Sequence, residues 1–466
     1  MPVLRLAAEG VGPFQKLDLD FSDGRGNPHL GPHILAGVNG SGKSTALRAI
    51  AWVLDFGRNG FQHDQWRHSL ARDLISRALL ILKPPSGDTR VYACIRGITK
   101  SKELELFVKP YLSAGLQNID NSLRSMVPDR TSWKRSNTMW SLYAEPNSLP
   151  EEFVQGPAFN FAAYAPSRSL QYLDMPDLAK TLQSPFESSL GFESTIQNEA
   201  LQAWMLGLYS KRAIARERGQ STEPYTRSLH GFQKALRLVI GEGTCFDVEI
   251  EPRLQPRLRV AGHNLNFSQL PDGIRNTVGW LADFMARQDE APWYPELGEK
   301  RPGILLLDEV DAHLHPLWQR RILPAMREAL PDVQIIVASH SPFVIASCPG
   351  SRVHVLELEN GKAHARPPVD APIGASVTAT LKDIFGVESR FDIDSEKKLN
   401  EWNEIKRQEA RGKLRAGPKR RLQQLTEELS ARSEELRSTV GSPPPLSRAL
   451  VHSLTSSGKN RRAARR

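Results

Sequence analysis

Three stretches of this 466-residue chain carry residue types spaced for work on a phosphate. The first is GVNGSGKST, residues 37 to 45, in which Gly37, Gly40 and Gly42 alternate with Asn39 and Ser41 ahead of Lys43, Ser44 and Thr45. It fits G-x-x-x-x-G-K-[ST] without a gap. In that spacing the glycines let the backbone close round an anion, the lysine reaches the β and γ oxygens, and the hydroxyl binds Mg2+. A glycine-rich turn that happens to hold a lysine is the plain alternative to so short a pattern. Second, the apolar run at 304–307 ends in Asp308 and Glu309, two carboxylates badly placed for a core. They suit a metal-bound phosphate, with Asp308 orienting the metal's ligands and Glu309 polarising an attacking water. Third, VQIIVAS, residues 333 to 339, runs into His340, whose ring can bond a γ-phosphate or that water.

A phosphate loop needs a strand before it and a helix after it, because the loop's N–H groups and the helix N-terminus form the anion site together. PHILAG supplies an apolar strand at residues 33 to 36, and KSTALRAIAWVLDF supplies a helix with Leu47, Ile50, Ala51 and Leu54 on one face. The continuous apolar runs at 304–307 and 333–339 read as strands of a parallel sheet buried on both faces. Parallel strands deliver their C-terminal ends, and with them Lys43, Asp308, Glu309 and His340, to one sheet edge.

Composition bounds the rest. A hydrophobic fraction of 40% over this length is enough for a large core or two, and length alone allows two to four domains. No apolar run reaches the ~18 residues of a membrane span. The start, MPVLRLAAEG, lacks the basic and apolar regions of a signal peptide, so a soluble cytoplasmic chain is the default. Cys94, Cys245 and Cys348 are far apart and without CxxC spacing, which suggests neither a disulfide framework nor a zinc site. Lys and Arg total 61 against 52 Asp and Glu, a charge of +9 that favours a polyanion such as nucleic acid. Part of that excess sits in GKNRRAARR, residues 458 to 466, where a solvated terminus is an equally good reading.

In order, these motifs resemble those of the ABC-type ATPases of the RecF, SMC and OLD-like group. An N-terminal strand pair (LRLAAEGVGPFQKLDLDF) is followed by a Walker A loop at 37–45, a signature region, a Walker B strand at 304–309, a D-loop (VDAHLHP) and a switch histidine, His340. DEVDAHLHPLWQRRILPAMREALPDVQIIVASHSP is similar to the compact bacterial AAA-type ATPases of anti-phage systems. Among these are the ATPase subunits of Septu and retron-associated modules, which work beside a separate HNH nuclease. The resemblance covers roughly residues 1–110 and 240–390. It implies an α/β fold: an ABC-type P-loop ATPase head with a mixed sheet and flanking helices, split by a largely helical insertion and followed by C-terminal helices. ATP and Mg2+ are the implied ligands, with Gly37, Asn39, Gly40, Ser41, Gly42, Lys43, Ser44 and Thr45 around the nucleotide. Ser44 and Asp308 would hold the metal, and Glu309 and His340 would face the reacting phosphate.

In such ATPases the signature is presented by the partner protomer, which implies a homodimer or higher homo-oligomer joined head to head. Here FSQLPDGIRN, residues 267 to 276, stands at the signature and leads into a helix from about Ile274. Asp272 and Gly273 would face the nucleotide in trans. Pro271 falls at the family's serine, and proline brings neither hydroxyl nor N–H. Arg275 would supply charge instead. Fast hydrolysis is the property this departure puts in question.

The expected domains are an N-terminal lobe at 1–110, an insertion at 111–245, a C-terminal lobe at 246–390, a helical region at 391–440 and a basic tail at 441–466. The insertion holds a helical pattern, IQNEALQAWMLGLYSKRAIARE, but no sustained heptads, so the long arms of SMC-type proteins are not expected. Within it FAAYAPSRSL reads as a strand leading to Arg168, placed near the site, and Gln62 and Gln65 are the candidates for a Q-loop. SWKRSNTMWSLY, with Trp133, Lys134, Arg135 and Trp140, suits either base stacking or a half-buried edge. His313 and His315 alternate like a metal pair but fall in the D-loop segment. FDID, residues 391 to 394, contains D-x-D, yet a helix start capped by Asp394 is the better reading, since only about 70 residues follow. Residues 246–267 read as a meander, and HVLELENGKAHAR as a hairpin turning at Asn360 and Gly361. Leu422, Leu425, Leu429 and Leu436 form a stripe after a Gly417-Pro418 break, suited to docking on the head, another subunit or a nuclease, and GSPPPLSR reads as a linker. The resemblance therefore implies an ATPase subunit that regulates an HNH-type nuclease in phage defence, with DNA as a further partner and no membrane. The competing expectations are a RecF-like repair ATPase and a non-hydrolysing nucleotide sensor.

Overall fold

The computed structural model describes residues 2–29, 31–59, 75–82, 90–96, 139–141, 160–166, 192, 198–251, 255–291, 293, 297–387, 391–412 and 416–441. In chain order the first part comprises β1 (Val3–Val11), β2 (Phe14–Asp20), β3 (His33–Gly37), α1 (Lys43–Asn59), β4 (Ile75–Leu82), β5 (Arg90–Arg96), β6 (Met139–Ser141) and β7 (Asn160–Tyr164). Next come α2 (Asn198–Glu217), α3 (Glu223–Ile240), β8 (Cys245–Glu249), β9 (Gln255–Val260), β10 (His263–Leu265) and α4 (Asp272–Glu290). They are followed by β11 (Gly303–Leu307), α5 (Pro316–Ala329), β12 (Val333–Ser339), α6 (Pro342–Ile345), β13 (Arg352–Glu359), β14 (Lys362–Ala365), β15 (Val369–Asp370) and α7 (Val377–Phe385). Residues Met1–Phe385 form one compact unit and Gly386–Arg466 another.

The large unit is built on one mixed sheet in the order β6-β5-β4-β1-β2-β14-β13-β3-β12-β11-β7, with β15 on β13. Its β13, β3, β12, β11 and β7 are parallel, as the apolar runs predict. The β1–β2 hairpin and β4 extend it antiparallel. Side chains of a strand alternate between faces, and the parallel strands sort cleanly. Ile34, Ala36, Leu305, Leu307, Ile335 and Val337 pack with α2–α5 on one side. Leu35, Ile304, Leu306, Ile336 and Ala338 pack with α1 and the β1–β2 hairpin on the other. This is the α/β architecture expected: a mixed sheet between flanking helices.

One feature departs from the sequence reading. Helices α2 and α3, inside the stretch read as an insertion, bury Leu201, Met205, Phe232 and Leu236 in the core of the large unit. Residues 246–265 form the expected meander β8–β9–β10 as a separate three-stranded sheet. The hairpin β13–β14 does turn at Asn360 and Gly361, both left-handed at φ 51° and 76°, as a tight two-residue turn requires.

The small unit contains α8 (Ile393–Ala410), α9 (Ala416–Arg432) and α10 (Glu434–Gly441). Leu422, Leu425, Leu429 and Leu436 are buried there against Leu399, Trp402 and Val440. The leucine stripe is therefore covered within its own unit, not presented for docking. Gly417 and Pro418 do not break a helix; they lie in the first turn of α9, where proline's missing N–H costs nothing. Asp392, not Asp394, caps α8, because its carboxylate accepts from Asp394 N and Ser395 N at 3.1 and 3.0 Å, and Asp394 instead pairs with Arg432. The tail and the linker at 442–466 lie outside the described residues.

Candidate functional site

The loop between β3 and α1 is shaped from outside as much as by its own glycines. The tip of the β1–β2 hairpin lies against it: a Cβ on Gly42, whose φ is +91°, would sit 2.2 Å from the Phe14 ring and 3.0 Å from Pro13. Ser41 is fully buried, and its hydroxyl has no partner among the described residues. Lys43 folds back over the loop, its ammonium donating to the carbonyls of Gly37 and Val38 at 3.0 Å each. Burial pushes its pKa down to about 8, against the pull of Asp308, Glu309 and Asp311. Asn39 and Gly40 are exposed, while Ser44 and Thr45 are half-buried at the start of α1.

Three neighbouring strands end beside this loop. In β3, Ala36 pairs with Ser339 of β12, and in β11, Leu307 pairs with Val337, so Gly37, His340 and Asp308 emerge together. Asp308 is buried, and its N–H donates to the Tyr164 carbonyl at the end of β7, at 2.9 Å. Glu309 has a left-handed backbone, φ 45°, which costs a non-glycine residue about 1–2 kcal/mol and turns the chain sharply out of the strand. The Val310 N–H then bonds the Ala338 carbonyl at 3.1 Å, tying the turn to β12. His340 lies beside the Gly37 backbone; burial and the nearby Lys43 charge hold its pKa below the usual histidine value, against Asp311 and Glu309. Both effects favour the neutral imidazole.

An orphaned hydroxyl and a half-desolvated ammonium facing two carboxylates fit a phosphate with its metal: a polyanion would take up the N–H and ammonium donors, and a divalent cation would offset the acids. Asp311, beside Lys43 and His340, joins the group without having been singled out from sequence.

The signature stretch is placed differently. Helix α4 begins at Asp272, two residues before Ile274, with Pro271 at its N-cap and no side-chain cap bond. Asp272 is exposed and pairs with Arg275 three residues on. Gly273 is buried, and a Cβ there would stand 2.3 Å from the His313 carbonyl, so the start of α4 packs on the D-loop of its own chain. Further along α4, the Tyr164 hydroxyl donates to Asp283 at 2.5 Å, and Arg287 Nε donates to the same carboxylate at 2.7 Å. The sequence offered no sign of this buried triad, whose members are 119 and 4 residues apart.

His313 is exposed with φ 61°, and His315 caps α5 by accepting from Leu317 N at 3.3 Å. Neither joins a ligand cluster; among the described residues the only grouping of that kind is Glu357, Glu359 and His364 on the β13–β14 hairpin. Arg168, Gln62, Gln65, Trp133, Lys134 and Arg135 lie outside the described residues, and Trp140 sits in β6 with only its backbone described. No helix among the described residues is long and apolar enough to cross a membrane.

Residues 246–346 match the family model "AAA domain, putative AbiEii toxin, Type IV TA system", and residues 5–104 match a second "AAA domain" model. The chain is 19% identical to the "Retron Vc95 probable ATPase" of Vibrio cholerae over 75% of its own length and 73% of that protein. By sequence the chain resembles the ATPases of retron and Septu systems. It is 35% identical to the "Retron Ec83 probable ATPase" of Escherichia coli over 29% of its length, and 32% identical to the "Septu protein PtuA" of Bacillus thuringiensis over 24%. These alignments span only 24% and 31% of those two relatives. Among solved structures, an Smc head bound to the C-winged helix domain of ScpA aligns with TM-score 0.42 at 15% identity, covering 79% of this chain and 98% of that one. The SMC head domain from Thermotoga maritima aligns with TM-score 0.39 at 15% identity, over 79% and 99%.

Proposed function

We propose that this chain binds ATP with Mg2+ between two of its protomers and hydrolyses it, and that occupancy or turnover of the site governs an HNH-type nuclease in phage defence. One observation carries the reading: Lys43, Asp308, Glu309 and His340 arrive at one sheet edge from three adjacent parallel strands. The retron and Septu relatives support the setting.

In this reading the loop N–H groups of 37–45 and the positive end of α1 bind the phosphates, and Lys43 leaves the Gly37 and Val38 carbonyls to meet them. Ser44 and Asp308 would hold Mg2+, which supplies charge neutralisation at the phosphates. Glu309 takes the proton of the attacking water, and neutral His340 bonds the terminal phosphate. Asp272, exposed, and Arg275, half-buried, at the start of α4 face the nucleotide of the second protomer. Slow turnover is expected, because Pro271 offers that phosphate nothing.

The test is ATP binding and turnover with Mg2+ for the wild type, Lys43→Ala and Glu309→Gln. Lys43→Ala should lose affinity by about 30-fold or more, as removal of a buried charged partner does. Glu309→Gln should keep affinity and lose turnover by about 100-fold or more. A wild type that binds ATP and never hydrolyses it sinks this assignment in favour of a nucleotide-sensing scaffold, the reading that the uncapped, proline-led start of α4 favours.

A further inference from the structure

Gln319 lies in the second turn of α5 and is half-buried. Its amide reaches two separate segments of the site. The Nε2 group donates to the Leu314 carbonyl at 2.8 Å and, more weakly, to the Asp311 carbonyl at 3.4 Å, both in the D-loop. On the other side Oε1 accepts from the Ser341 hydroxyl at 2.6 Å. Ser341 follows His340 directly, and its hydroxyl oxygen accepts in turn from Phe343 N and Val344 N at 3.1 and 3.3 Å, while its own N–H bonds Ser339 Oγ at 3.0 Å.

We propose that Gln319 is a positioning residue that fastens the D-loop to the segment carrying His340, so that a change at the phosphate end of β12 is passed to residues 311–314. The proposal rests on the ATP-hydrolysing reading above. Its chemistry is specific to a carboxamide, which places two donors and an acceptor on one rigid plane. A carboxylate accepts from Ser341 but has no proton for the D-loop carbonyls; an aliphatic side chain does neither. Because Ser341 donates to Gln319, its lone pairs point at the start of α6, and the peptide carrying His340 is fixed from both flanks. Held thus, the ring lies beside the Gly37 backbone, Lys43, Glu309 and Asp311. The D-loop is also the segment on which Gly273 of α4 packs. The link therefore runs from the histidine through Ser341 and Gln319 to the D-loop carbonyls of Asp311 and Leu314, on either side of the His313 carbonyl that lies against α4.

The test uses the full chain with Gln319→Leu, Ser341→Ala and the pair combined. Each single change should leave ATP affinity within about twofold and lower kcat by about tenfold, since small displacements of reacting groups cost rate more than binding. The double variant should be no slower than the worse single, because both cut one connection. Wild-type kcat in Gln319→Leu, losses that multiply in the double, or affinity and kcat falling together with Tm would each overturn the proposal. A second readout needs no turnover: amide hydrogen exchange of the nucleotide-free chain. Gln319→Leu and Ser341→Ala should each speed exchange in both 311–315 and 340–345; loosening by Gln319→Leu confined to one of the two segments, or by Ser341→Ala confined to 340–345, rejects the link. If the wild type does not hydrolyse ATP, the functional reading fails by itself, and exchange alone decides whether Gln319 couples the two segments.

Discussion

Helix α1 begins directly after a glycine of its loop, Gly42, whereas α4 carries its glycine, Gly273, inside its first turn, and the two starts offer an anion opposite surroundings. Helix α1 starts with Lys43 and has no acidic residue in its first turn, so its positive end and loop N–H groups remain for a ligand. Helix α4 starts with Asp272, which places a carboxylate on its own positive end and an arginine beside that carboxylate. The glycines differ too. Gly42 makes room for Phe14 behind a loop in a left-handed turn, whereas Gly273 is helical and lets the His313 carbonyl come close. In the proposed reading the start of α1 closes on a phosphate within its chain; the start of α4 is held against the D-loop, with Asp272 exposed and Arg275 half-buried.

The strongest way to break this contrast is to cut what holds α4. Asp283→Asn leaves Arg287 buried beside a neutral amide and weakens the tie to Tyr164, and through it to the strand end that binds Asp308 N. Breaking a buried pair in this way costs about 3–5 kcal/mol, so denaturant titration should show a large loss of stability. Asp272→Asn, whose ion pair is exposed, should change it little. If the two variants are equally stable, α4 is not anchored by its buried face.

Next come the two glycines. Gly42→Ala and Gly273→Ala each force a Cβ to within 2.2–2.3 Å of a neighbour, at an expected cost of about 1–3 kcal/mol. Their functional effects should separate. Gly42→Ala should abolish ATP binding, and Gly273→Ala should leave binding intact while slowing turnover. Equal losses of binding would place both turns at the same phosphate and erase the contrast.

The glycine loop, the carboxylates after β11 and the histidine after β12 were legible because short motifs and apolar strands are local patterns. Asp283 and Tyr164 were not, since a lone aspartate in a helix and a tyrosine ending a strand mean nothing until the fold brings them to hydrogen-bond distance. The leucines from Leu422 to Leu436 were legible as an apolar stripe, read as a docking face; their cover within the same unit was not, because Trp402 and Leu399 come from a helix whose own pattern is weak. Pro13 and Phe14 escaped for a similar reason: their role is to back a loop nearly 30 residues further along.

A smaller effect sharpens the ligand-facing side of the comparison. Lys43 has a pKa of about 8, lowered from 10.5 chiefly by burial. A bound phosphate favours its charged form, so binding takes up a proton wherever the free chain has lost one. Affinity should be level below pH 8 and then fall, approaching about tenfold per unit. Calorimetry in buffers of different ionisation enthalpy should register that uptake at pH 8.5 and little at pH 6.5. Lys43→Arg, always charged, should lose the pH dependence.

The smallest change bears on the other helix. Pro271 occupies the N-cap of α4 with φ −53° and ψ 144°, a backbone that serine also adopts, and it is exposed. Pro271→Ser adds a hydroxyl that can accept from an N–H in the first turn, worth about 1 kcal/mol. Returning one N–H and an extra unfolded-state freedom offsets part of that gain, so stability should rise only slightly. Turnover separates two accounts of the helix start. If the proline limits hydrolysis by giving the second protomer's phosphate nothing to bond, Pro271→Ser should raise kcat by a few-fold with affinity unchanged, and only at concentrations where protomers pair. If kcat stays constant while Arg275→Ala lowers it, the arginine serves that phosphate and the serine position is idle. If neither change moves kcat, the start of α4 does not serve a second protomer's phosphate, and Gly273 under the D-loop is its only part in the site.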